Sequence, residues 1–101
     1  MSDPLPLEAY WMPYTGNRQF KRDPRIIVAA QDVWFTDDQG RQILDGHSGL
    51  WTSGLGHGHP EVSKAVTEQI ETLDFAPPFQ FGHPAAFQLA DKLKQLMPGD
   101  L

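Results

Sequence analysis

The sequence predicts an α/β unit built from a short helix, a three-stranded antiparallel meander and two further helices. Three observations predict it. Residues 26–30, 33–36 and 41–44 are short runs rich in β-branched, aromatic and other apolar side chains, the pattern of extended chain. Apolar residues then recur at helical spacing, first as Val62, Ala65, Val66, Ile70 and Leu73, then as Ala86, Leu89, Ala90, Leu93, Leu96 and Met97. Between the strands and the first of these helices, residues 45–59 place five glycines in fifteen positions, which an ordinary packed helix or strand does not accommodate.

Each element follows from its local chemistry. The opening stretch holds Pro4 and Pro6, then Leu7, Ala9, Tyr10 and Trp11, compatible with one short helix docked on something larger. Residues 12–23 are polar, contain Pro13 and Gly16, and read as irregular loop. The Asp37-Asp38-Gln39-Gly40 tetrapeptide is a hairpin turn, with Gly40 supplying the positive φ. Pro60 suits a first helical position, Glu61 favours the positive end of the dipole, and a helix over Pro60–Thr72 follows. Residues 74–82 carry Pro77 and Pro78 with Phe75, Phe79 and Phe81, an irregular loop whose rings need cover. The last helix spans about 83–97 and stops at Pro98-Gly99.

Composition narrows the function. A chain of 101 residues, 40% apolar, suits one compact core. Eight basic against thirteen acidic residues, a net charge of -5 and no basic block argue against nucleic acid or an anionic membrane as partner. The absence of cysteine excludes disulfides, thiolate zinc sites and thiol nucleophiles, and fits a reducing compartment, with the cytoplasm as default. The first residues lack the basic start and apolar run of a signal peptide, and no stretch reaches membrane-spanning length.

The unusual residues admit several readings. Gly54-x-Gly56-x-Gly58 could cradle a phosphate, but it lacks the Walker lysine and the Rossmann spacing, so a tight turn is favoured. His57 and His59, with His47 and His83, invite a metal site, yet no known ligand pattern accompanies them and a place beside a helix start accounts for them. Asp45 and Glu61 fall where turns and caps use carboxylates, and sequence fixes no acid–base pair. Trp51, a large ring inside a glycine-rich segment, either anchors a core or lines a cavity.

Several motifs occur in a familiar order: Trp11-Met12-Pro13-Tyr14-Thr15, a hairpin ending at Asp45-Gly46, Ser48-Gly49-Leu50-Trp51, Gly56-His57, and Phe79-Gln80-Phe81-Gly82-His83-Pro84. The chain thereby resembles the N-terminal segment of class III (omega) aminotransferases, in particular the beta-alanine or omega-amino acid:pyruvate branch, from about residue 7 to residue 101. The resemblance implies a fold-type I enzyme dependent on pyridoxal 5'-phosphate, with this segment forming the N-terminal part of the small domain and leading into the cofactor domain. It implies an amino donor and a keto acid acceptor as substrates, and a homodimer or higher homo-oligomer. It places Tyr14 and Trp51 on the substrate pocket, and the Phe79 region on a loop reaching the partner subunit's site.

The Schiff-base lysine and the other cofactor groups of that family fall outside the matching motifs, so Lys21, Lys64, Lys92 and Lys94 are not assigned that role and the segment alone is expected to be inactive. His47 and Thr52-Ser53-Gly54 depart from the cysteine-containing pattern of beta-alanine enzymes, which leaves the amine donor open. Two other readings compete: a stand-alone interaction module presenting aromatic loops, and a degenerate relative that senses ligand without catalysis.

Overall fold

A computed structural model of the chain describes residues 3–100. Met1, Ser2 and Leu101, which the readings of the opening residues and of the family resemblance include, lie outside the described residues. The chain divides into two compact units, Met1–His59 and Pro60–Leu101. The single core expected from length is not what these residues build. Among the described residues the one buried apolar side chain is Phe20, 9% exposed.

The first unit opens with a 3₁₀ turn at Leu7–Ala9 and a six-residue helix α1, Asn17–Arg22. The 3₁₀ turn occupies the expected place of the short helix. Helix α1 corrects the reading of residues 12–23 as loop. It carries one buried ring, Phe20, and is too short to display the apolar repeat by which helices are recognised.

Three strands follow, β1 (Ile27–Gln31), β2 (Trp34–Asp37) and β3 (Gln42–Leu44), paired antiparallel in the order β1-β2-β3. The meander is the one expected. Trp34 stands opposite Gln31 on one side and Leu44 on the other, and the β1–β2 register shifts between Ile27 and Ala29. The β1–β2 connection is a two-residue turn whose first residue, Asp32, sits at φ 53°. The β2–β3 connection uses Gly40 at φ 78°, as the turn sequence requires. Its other support is Asp37, whose buried carboxylate accepts hydrogen bonds from the Gln39 and Arg41 amides (3.0 and 2.8 Å) and from Arg41 Nε (2.6 Å).

After β3 the chain forms a left-handed helical turn, α2, over Ser48–Trp51. All four residues have positive φ, from 50° at Ser48 to 70° at Trp51. Their hydrogen bonds are helical in spacing: the Trp51 amide donates to His47 O (2.7 Å) and the Thr52 amide to Ser48 O (3.0 Å). For L-residues this hand costs roughly 1–2 kcal/mol each, so surrounding contacts must hold it. The glycine content marked the segment as irregular; the structure shows the irregularity to be an ordered turn of the unfavoured hand.

The second unit holds two helices, α3 (Pro60–Thr72) and α4 (Pro84–Leu96). Both start at proline, where a missing amide proton is harmless. Helix α4 closes on Met97, whose amide reaches Leu93 O and Lys94 O, before Pro98. Within the second unit their apolar stripes are uncovered: Val62, Val66, Ile70, Leu89, Leu93 and Leu96 are all exposed. Among the described residues no helix is long and apolar enough to cross a membrane.

Candidate functional site

The three aromatic residues singled out in the sequence are all exposed. Trp51 is 82% and Phe79 80% exposed, and Tyr14 projects completely. Each lies at or beside a strained backbone position: Tyr14 at φ 50°, Trp51 at φ 70°, and Phe79 immediately before Gln80 at φ 65°. Non-glycine residues adopt this region rarely, and where they do the strain tends to serve a site. Trp51 anchors no core among the described residues.

The loop carrying Tyr14 is closed by Asn17, which is 4% exposed. Its Oδ1 accepts from the Met12 amide (2.8 Å) and its Nδ2 donates to Met12 O and Thr15 O (2.9 and 3.0 Å). The asparagine thus imitates a strand partner for a loop that has none.

The loop carrying Trp51 is closed at its neck. Asp45 donates its amide to Val33 O (2.8 Å), and the Asp32 and His57 backbones exchange hydrogen bonds of 2.9 and 2.7 Å. Both ends of the loop are therefore tied to the β1–β2 turn. Between them the Asp45 carboxylate meets His57 Nε2 at 2.6 Å, with the side chains 6% and 17% exposed. The same carboxylate accepts from the Gly49 amide (2.7 Å) inside the left-handed turn and from the His47 amide (3.2 Å). The His57 ring packs on Phe35, centroids 4.7 Å apart. Gly56, at φ 87°, lies against the Asp32 backbone, where a Cβ would stand 3.2 Å from Asp32 O.

The hydrogen bond from His57 holds Asp45 below its ordinary value; burial opposes this, and the His47 and Gly49 amides reinforce it. An ionised carboxylate only accepts hydrogen bonds, so the proton of this pair resides on His57 Nε2. At Asp37 burial pushes upward, but the Arg41 amide and guanidinium and the Gln39 amide together hold the carboxyl below its ordinary value. Depressed carboxylates stabilise the fold above their unfolded value of 3.8 and lose that contribution as pH falls through the lower folded value. The stability difference between the parent and Asp45→Asn should therefore be present at about pH 5 and shrink as the pH falls below 3.8. Thermal melts of the full-length protein across that range check this; a difference independent of pH would refute it.

Sequence reasoning missed the Asp45–His57 pair. Asp45 does serve the turn, through the His47 and Gly49 amides, but the His57 imidazole also turns back across twelve positions to the same carboxylate. No periodicity encodes such a contact. Three amides of the glycine-rich loop are committed internally, Gly49 to Asp45, Gly56 to Ser53 O and His57 to Asp32 O. Among the described residues no group of three or more His, Cys, Asp or Glu converges as a metal site would require. His59 and His83 each keep Nδ1 buried without a partner.

Two larger concavities are lined by neither Tyr14, Trp51 nor Phe79, although the second adjoins Phe79 through Pro78. An apolar groove of about 410 Å³ runs between residues 5 and 27, floored by Phe20 and edged by Lys21 and Arg25. In the second unit a hollow of about 470 Å³ is lined by Phe75, Phe81, His83 and Phe87.

A meander leading into a strained loop, with exposed rings at loop tips, matches one class of proteins in both sequence and coordinates. The sequence profile of class-III aminotransferases matches residues 15–101, and the chain belongs to that family. Over all 101 residues it is 54% identical to the omega-amino acid–pyruvate aminotransferase of Pseudomonas putida, and equally so to the beta-alanine–pyruvate aminotransferase of Pseudomonas aeruginosa. It spans 22% of the length of each. Among solved structures, an (S)-enantioselective omega-transaminase of Thermomicrobium roseum superposes with a TM-score of 0.85 at 36% identity, over 92% of this chain and 21% of that one. The Pseudomonas jessenii omega-transaminase in complex with PMP gives 0.84 at 31% identity, over 91% of this chain and 21% of that one.

Proposed function

We propose that this segment forms part of a pyridoxal 5'-phosphate-dependent transaminase that moves an amino group from an omega-amino acid such as beta-alanine, or from an amine, to pyruvate. The kinship with aminotransferases named for omega-amino acids, beta-alanine and pyruvate supports the substrates. The observation that carries the local role is the coincidence of exposure and strain: Tyr14 and Trp51 are unburied rings held at left-handed backbone positions. Flat apolar walls of this kind hold a substrate side chain while its polar ends are oriented elsewhere.

In this reading Tyr14 and Trp51 line the pocket, and Phe79 on its loop contributes to the site of a partner subunit in a homodimer. Residues 1–101 form the N-terminal part of the small domain of a fold-type I enzyme, working in the cytoplasm. Bound cofactor supplies the electron sink for proton removal at the carbon bearing the amine. The residues described here do not fit the task of holding it. Lys21 is paired with Glu8 at 3.0 Å, Lys64 lies 3.8 Å from Glu68, and Lys92 and Lys94 are exposed on α4. Lys21 edges the groove floored by Phe20 but is engaged there by Glu8, and the Gly49, Gly56 and His57 amides are spent internally. The contribution of this segment is to bind and orient.

The full-length protein, incubated with beta-alanine and pyruvate, should show a cofactor absorbance band and produce alanine. Absence of both, with a panel of amines also tried as donors, would remove the proposal.

A further inference from the structure

The neck of the Trp51 loop has a role that its own geometry defines. Residues 46–56 leave and return at one end of the sheet, as in an Ω-loop. The backbone bonds at Asp32 and Val33 bring the ends together but do not reach the tip. Asp45 does reach it: one carboxylate binds the His57 imidazole at 2.6 Å and the Gly49 amide at 2.7 Å. Gly49 belongs to the left-handed turn, two residues from Trp51. On the other side of the turn a Cβ on Gly49 would stand 3.4 Å from His57 Cε1, so the imidazole already fills the space beneath it. His57 is itself fixed, by its backbone to Asp32 and by its ring to Phe35.

We infer that Asp45 and His57 are positioning residues: their hydrogen bond clamps the loop and sets the attitude at which Trp51 meets the side chain of the amine donor. This rests on the pocket role proposed for Trp51. Neither side chain is placed against substrate. The clamp acts through Gly49 on a turn whose backbone is otherwise unfavourable, so loosening it frees the ring to leave its orientation.

The test uses the full-length protein with 5-fluorotryptophan incorporated, the Trp51 resonance being assigned by its loss in Trp51→Phe. His57→Phe keeps a ring against Phe35 and removes the donor, whereas His57→Gln keeps a donor near the position of Nε2. Asp45→Asn is the second route, and decides if His57→Phe does not fold. His57→Phe should broaden or split the Trp51 fluorine line and raise KM for the amine donor roughly tenfold with kcat nearly unchanged, the mark of lost binding rather than lost chemistry. His57→Gln should recover much of both. In a Trp51→Ala background His57→Phe should add no further rise in KM, because the ring it positions is gone.

A Trp51 line that is unchanged in both His57→Phe and Asp45→Asn overturns the inference, as does an undiminished KM effect in the Trp51→Ala background. If the line responds but Trp51→Ala leaves KM unaltered, the clamp stands and the pocket role of Trp51 fails.

Discussion

Replacing Trp51 with alanine in the full-length protein should lower kcat/KM for a small amine donor about 10- to 100-fold, the scale associated with losing a substrate-positioning contact. The indole is 82% exposed in this segment, so its removal costs little local packing. The loss should fall on substrate binding. A bulkier amine, able to occupy the vacated volume, should lose less, and the ratio of the two kcat/KM values is the quantity to measure. Since added hydrocarbon in an apolar pocket contributes a few kcal/mol at most, that ratio should shift by about one to two orders of magnitude. Equal losses for both donors would show that Trp51 does not shape the pocket.

The second large effect concerns residues 1–101 expressed by themselves. Phe20 is the one buried apolar residue described, while Trp11, Trp51, Phe75, Phe79, Phe87 and Leu96 are all more than two-thirds exposed. A folded domain of this size needs a hydrophobic core to offset chain entropy, and these units do not supply one. The isolated segment should therefore show no transaminase activity, bind a hydrophobic dye such as ANS, and melt without a cooperative transition. A sharp thermal transition with little dye binding would mean that the segment is stable alone, and would revive the reading of it as an independent interaction module.

Legibility in the sequence tracked the range of the interaction. The β2–β3 turn could be read because Asp37 and Gly40 act within a few residues, and α3 because Pro60 and the Val62, Val66, Ile70 stripe repeat locally. Helix α1 was missed because a six-residue helix with a single buried ring has no period to detect. The glycines disclosed that residues 45–59 were unusual, but not the hand of the turn. Ser48, Leu50 and Trp51 are not residues that advertise positive φ. The Asp45–His57 bond was invisible because it depends on the loop closing first. For Tyr14, Trp51 and Phe79, the family motifs nominated the side chains, and backbone strain at or next to each supplies an independent physical reason to regard them as functional.

The left-handed turn has one more consequence. Its hydrogen bonds are drawn from its own backbone and from a neck seated on the sheet, while the indole at its end is largely exposed. The frame fixes where that ring is presented, yet does not depend on which side chain position 51 carries. A lineage bearing this loop can exchange the side chain at position 51 without rebuilding the frame that carries it.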